Sequence, residues 1–202
     1  MPLATRRAPR TAGIRKRPLM AFSLKSLFAP DPHESGVRRL YGAIVEHARN
    51  SVFYRRLGVP DTATGRYAMV ALHAFLVMDR LGRVSGQGRV SQSLFDVMFA
   101  DMDRNLREMG VGDLSVGKRV KALAGHFYAM AAACRDGLNR DDTVLRTALS
   151  DYVYGGEAPP PAALTTMAAY LRACISELDG QAEDDISQGR IRFPEPQVGS
   201  DP

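Results

Sequence analysis

The 202-residue sequence contains no tryptophan and only two cysteines. Two cysteines exclude a disulfide-stapled scaffold and argue against a structural zinc site. Proline is missing from a long interior block: it occurs at positions 2, 9, 18, 30, 32, 60, 159–161, 194, 196 and 202, and nowhere between 61 and 158. Proline breaks helix interiors, so this gap, rich in Ala, Leu, Met and Arg, predicts a helical body. Long hydrophobic runs are absent too. The longest, Tyr67 to Met78, has 12 residues and includes His73, against about 20 needed to span a bilayer. There is no strand-type alternation beyond a few residues and no internal repeat.

What is present fits a globular protein: 45% of residues are hydrophobic and 24% charged, enough to bury a core. The formal net charge of +5 is concentrated at one end. Arg6, Arg7, Arg10, Arg15, Lys16 and Arg17 are six of the 27 basic residues, and positions 1–19 hold no acid. The other 21 basic side chains face 22 acidic ones, so residues 20–202 carry a net charge of −1.

Residues 1–30 therefore read as a basic leader without a packed core. Three interpretations of its first part stand: a disordered extension, an organelle transit peptide, or sequence upstream of a start at Met20. Lys25 interrupts the apolar stretch from Leu19 to Phe28, which argues against a secretory signal. Phe22, Leu24, Lys25, Leu27 and Phe28 are candidate membrane-contact residues, with the apolar side chains at the acyl boundary and Lys25 among headgroups. The ordinary alternative is that this segment docks on the body or stays unfolded.

The apolar periodicity predicts an all-α fold, a compact single-domain bundle of about six to eight helices with disordered termini. The helical domain is expected over residues 31–180 and a disordered polar tail over 181–202. Ser35 is expected to cap a helix with Val37, Leu40, Tyr41, Ile44, Val45 and Ala48 inward. A short segment, Val52 to Leu57, closes at Gly58 and Pro60. Asp61 or Thr62 caps a helix running to about Leu81, apolar nearly all round and therefore central. After a glycine-rich loop, Ser91 or Ser93 opens a helix with Leu94, Phe95, Met98, Phe99, Met102, Leu106 and Met109 inward. Ser115 is expected to cap the next, carrying Val116, Val120, Leu123, Phe127, Met130, Ala131 and Cys134. Asp141 or Asp142 caps another, stopped by Gly155-Gly156. Pro161 sits in the first turn of the last, which ends at Gly180.

Motifs for chemistry are sparse. Gly112 to Lys118 matches the first seven positions of a phosphate-binding loop, but Arg119 stands where the magnesium-binding Ser or Thr belongs. A turn followed by a helix cap suits these residues better. His33, His47, His73 and His126 lack metal-like spacing. His73 reads as a hydrogen-bonded core histidine. Cys134 and Cys174 lie on apolar stripes and read as small core residues. No nucleophile elbow occurs. No catalytic residue, metal or cofactor is expected, and the protein reads as a non-enzyme.

A charged ridge remains: Asp101, Asp103, Arg104, Arg107 and Glu108, then Lys118, Arg119 and Lys121, on either side of a glycine turn. Spacing alone favours a solvated face with internal ion pairs; the functional reading is a partner-binding surface. The methionines could line an adaptable groove, or simply pack the core.

The run Leu40-Tyr-Gly-Ala-Ile-Val-Glu-His-Ala-Arg49, with Phe53-Tyr54, Gly58-Val-Pro-Asp61 and Leu72-His-Ala-Phe-Leu76, resembles the ubiquinol–cytochrome c chaperone family. The resemblance is strongest at Ser91-Gln-Ser-Leu-Phe-Asp96, Phe99 to Asp113 and Val116-Gly-Lys-Arg-Val-Lys121, and covers roughly residues 38–150. It implies a non-enzymatic assembly factor that binds newly made cytochrome b of respiratory complex III, near the ribosome or with a small partner protein. The compact chain is similar to the bacterial form, which implies a cytoplasmic location peripheral to the inner membrane, or the mitochondrial matrix in a eukaryote. It also strengthens the docking reading of the ridge. No specific nucleic acid is implied; the competing reading is a helical module that binds nucleic acid or the ribosome through its basic leader.

Overall fold

A computed structural model describes residues 34–84, 86–156 and 159–198. The leader, including Phe22, Leu24, Lys25, Leu27 and Phe28, lies outside the described residues. Among the described residues there are eight helices and no strand: α1 Glu34–Ala48, α2 Ser51–Arg55, α3 Ala63–Gly82, α4 Gly88–Glu108, α5 Asp113–Asn139, α6 Asp142–Tyr152, α7 Pro161–Asp179 and α8 Glu183–Ser187. The all-α architecture predicted from the proline gap is the one adopted.

α3 is the axis of the fold. It is buried from Tyr67 to Met78 and again at Arg80 and Leu81, because α1, α4, α5 and α7 all pack on it. Its N-cap is Thr62, whose side chain accepts from Gly65 N–H at 3.1 Å. The one charged residue buried in it, Arg80, is satisfied at the end of α7. Its Nε donates to Leu178 O at 3.0 Å and a terminal nitrogen to Gln181 O at 3.3 Å. Arg80 thus supplies donors for carbonyls that the last turn of a helix leaves unpaired.

α5 and α6 form an antiparallel hairpin, with α7 against α6. Gly137 makes the close approach possible: a Cβ there would lie 2.5 Å from Leu145 Cα. Asp141 is the N-cap of α6, accepting from Thr143 N–H at 2.8 Å and Val144 N–H at 3.1 Å.

Several expected boundaries and positions differ. Glu34 already lies in α1, so Ser35 is inside its first turn. α4 begins at Gly88 after Gln87, so neither Ser91 nor Ser93 caps it; Ser91 is buried. Gly112 rather than Ser115 precedes α5, because Asp113 and Leu114 already take helical geometry. Met109, expected inward, is 62% exposed: α4 ends at Glu108 and the chain turns away at Gly110 (φ +79°).

The largest correction concerns the tail. Residues 181–198 are packed onto the bundle. Ile186 in α8 is fully buried, and Ile191, Phe193 and Val198 pack against the core. The polar composition misled because the tail has little apolar content of its own and uses α1 as its partner. The side chain of Gln181 donates to Arg192 O at 2.9 Å and accepts from Arg192 N–H at 2.8 Å, bridging α7 to the returning strap. Gly189 (φ +82°) lies so close to α1 that a Cβ would come within 2.6 Å of Arg39 Cβ. Its conformation and the contact both require glycine.

Candidate docking groove

The ridge is built by the last turns of α4 and the first turns of α5, joined at Gly110–Gly112. The structure divides it into three parts. Asp101, Glu108 and Arg119 line a groove of about 620 Å³ whose other walls come from α1 and α3. Asp103, Arg104 and Arg107 form a rim of ion pairs. Lys118 and Lys121 are exposed on α5.

Asp101 is the best-anchored member. Its Oδ2 accepts from Tyr41 O–H at 2.9 Å and from Asn105 Nδ2 at 3.1 Å, and Arg104 approaches its other oxygen at 3.9 Å. Burial, and then the neighbouring Asp101 charge, push the Tyr41 hydroxyl well above its ordinary pKa. Tyr41 therefore stays protonated and donates. On the rim, Arg107 joins two carboxylates: Asp103, with Nε–Oδ2 at 2.7 Å, and Asp113 across the turn. These pairs bridge the α4–α5 turn with one cation between two carboxylates; exposed pairs of this kind contribute little stability each.

The groove floor is apolar: Val45, Val70, Met102, Leu106 and Leu123, with the rings of Tyr41 and Tyr67 and the exposed Met109 at one lip. Tyr67 O–H donates to Leu123 O at 2.7 Å, tying α3 to α5 beneath the groove. Arg49, Arg66 and Arg119 bring positive charge to its edge; Arg66 is paired with Asp61 at 2.6 Å. Of six methionines that could have lined a groove, Met69, Met78, Met98 and Met130 are buried, while Met102 and Met109 face this one. The sequence reading missed Tyr41, Val45, Arg49, Arg66 and Tyr67 as groove residues. They lie on α1, with Arg49 just past its end, and on α3, and only helix packing brings them to the ridge.

A concave, largely apolar surface with charge at its margin can receive an apolar or amphipathic segment. Within the described residues no three His, Cys, Asp or Glu side chains are placed to hold a metal ion. Cys134 and Cys174 are buried and unbridged, and burial pushes both thiols up to about 12. None of the described helices is long and apolar enough to cross a membrane.

A family model described as ubiquinol-cytochrome C chaperone matches residues 55–193, which carry α3 to α8 and most of the groove. The chain belongs to this family. The chaperone core is similar to curated proteins named ubiquinol-cytochrome c reductase complex assembly factor 1: 25% identical over 157 residues to the mouse protein, covering 77% of this chain and 53% of that one. The human protein is 26% identical over 149 residues, covering 73% and 50%. The chain thus spans about half the length of these two relatives. The crystal structure of the Cbp3 homolog from Brucella abortus superposes with a TM-score of 0.73 at 35% identity, over 83% of this chain and 93% of that one.

In this family member His47 and His73 form a second polar feature, under the strap. His73 is fully buried. Its Nδ1 lies 2.7 Å from Met69 O and its Nε2 2.6 Å from the Tyr170 hydroxyl. The same hydroxyl is 2.7 Å from His47 Nε2. Phe193 of the strap stacks on His47 with centroids 4.7 Å apart and meets His73 edge-on at 5.1 Å. The expectation of a hydrogen-bonded core histidine at 73 holds.

Proposed function

We propose that the chain is a non-enzymatic assembly chaperone for ubiquinol–cytochrome c reductase that holds a segment of newly made cytochrome b. One observation carries this reading: the apolar groove between α1, α3, α4 and α5, edged by Asp101, Glu108 and Arg119, in a chain whose relatives are named assembly factors of that complex. A membrane protein made ahead of its partners exposes apolar helix surface to water. The groove shields one face of such a helix, and Met102 and Met109 adapt to its side chains. The charged rim aligns the polar loop that follows the helix. A ribosome or small-protein contact would bring the chaperone to its client as it is made, on the cytoplasmic face of the inner membrane or in the matrix of a mitochondrion. The apolar residues Phe22, Leu24, Leu27 and Phe28, with Lys25, would add a peripheral membrane contact.

The test is crosslinking in a host that assembles the complex. A photoreactive residue at Met109 or Arg119 should capture cytochrome b, and one at Ala173, exposed on α7, should not. Deleting the gene should lower haem b absorbance. Equal capture from both faces, or normal haem b in the deletion strain, overturns the reading.

A further inference from the structure

Only two large hydrophobic side chains are strongly exposed among the described residues, and they flank the same turn: Met109 at 62% and Leu114 at 100%. A fully exposed leucine in the second position of α5 contributes nothing to the fold. Leu114, Lys118 and Lys121 are spaced i, i+4 and i+7 on α5 and share one face of the helix. All three are exposed, as is Arg119 beside them. The acids nearby are largely occupied. Arg107 pairs with both Asp103 and Asp113, sharing its one positive charge between them, and Asp101 is held by Tyr41, Asn105 and Arg104. Among the described residues Lys118, Arg119 and Lys121 pair with no carboxylate, and Glu108 is the one acid at this end left without a cation.

We propose that the α4–α5 turn is a membrane-docking tip for an anionic bilayer surface, with Leu114 and Met109 entering the interface and Lys118 and Lys121 meeting lipid phosphates. The chemistry is complementary on both counts. An apolar tip gains by leaving water for the acyl boundary. Basic side chains near an anionic surface gain about fivefold in partitioning each. Lys118 and Lys121 lie one and two turns behind Leu114, where the headgroups begin once the leucine is at the acyl boundary. Leu114, Lys118 and Lys121 are not among the groove-lining residues, whereas Met109 is shared between the tip and the groove lip. The position of the tip at one lip of the groove would place the groove mouth at the membrane.

The absence of tryptophan permits a direct test on the full chain. Leu114→Trp introduces a single reporter at a solvent-exposed site, and Ala173→Trp on α7 is the control; circular dichroism confirms that both fold. With vesicles of phosphatidylglycerol and phosphatidylcholine, emission from Leu114→Trp should shift to the blue and be quenched by brominated acyl chains. The Ala173→Trp protein should show neither. Adding Lys118→Gln and Lys121→Gln to the reporter should weaken partitioning about 25-fold, and neutral vesicles should give little shift. If the chain binds vesicles while the reporter at 114 stays in water, the basic leader alone is responsible and the proposal fails. It fails equally if both reporters respond alike, if neutral and anionic vesicles act the same, or if the 114 reporter shifts only on adding a purified protein partner.

Discussion

The Nε2 of His73 lies 2.6 Å from the hydroxyl of Tyr170, 97 residues further along the chain, in a site closed to water. Because Met69 O can only accept, the His73 proton sits on Nδ1 and Nε2 accepts from Tyr170. The Tyr170 oxygen in turn accepts from His47 Nε2–H at 2.7 Å. A proton added to His73 would set two donors against each other in a desolvated site.

Burial accordingly holds His73 down to about 3, and lowers His47 as well. A base with a depressed folded pKa stabilises the fold above its unfolded pKa near 6.5, and that stability is lost as pH falls toward 3. His73 alone should cost about 1.4 kcal/mol per pH unit well inside that window. Urea midpoints for wild type and His73→Gln at pH 7, 6, 5 and 4 should show the variant less stable at pH 7 and with a shallower decline. Parallel declines would show that His73 titrates normally in the folded state.

Tyr41→Phe removes a hydrogen bond to a carboxylate at a partly buried site while keeping the ring. Bonds to charged groups contribute roughly 1.5–3 kcal/mol when buried, and solvent at the groove reduces this, so a loss of about 1 kcal/mol is expected by chemical denaturation. Client capture at the groove should fall as well, since Asp101 loses the partner that orients it. Unchanged capture would separate Asp101 from the docking surface.

Gly137→Ala places a methyl group 2.5 Å from Leu145 Cα, against backbone rather than a movable side-chain end. The α5–α6 hairpin must open to admit it, at a cost of about 1–3 kcal/mol or more. Ala at Gly125, an exposed position in the same helix with open space around it, should instead stabilise by several tenths of a kcal/mol, up to about 1. Thermal denaturation of the two variants should move the midpoint in opposite directions.

Phe193→Ala removes the ring that stacks on His47 and meets His73 edge-on. A partly buried phenylalanine should cost about 2 kcal/mol, below the 3–5 of a fully buried one. Amide exchange should then accelerate in residues 189–198 ahead of the rest. Uniform acceleration over the whole chain would mean that the strap unfolds only with the bundle.

The helices were legible where one element carries its own signal. The proline gap, the apolar face of α1, the Asp141 cap and the central, all-round apolar α3 depend on residues within a few turns of one another. The caps misread at Ser91 and Ser115 show the limit of local rules: either serine could have started a helix, but the chain became helical earlier. Met109 was misplaced for a related reason, since periodicity continues past the point where Gly110 turns the backbone away.

The site was half legible. Asp101, Glu108 and Arg119 were marked by charge and by family resemblance. Tyr41 and Arg49 lie in the run that carries the family resemblance, but nothing local marked them or Tyr67 as groove residues, because a groove belongs to four helices and its geometry arises from packing.

By itself, the sequence determined the helical class, the length and polarity of most helices, and the family, since these follow from local propensity, periodicity and residue identity. Tertiary structure alone decided that the polar tail folds back as a strap, that His47, His73 and Tyr170 meet, and that Asp101, Glu108 and Arg119 of the ridge face a groove while Lys118 and Lys121 face out. Each of those depends on contacts between residues tens to more than a hundred positions apart. Side chains that look alike in sequence acquire different environments only when the helices pack.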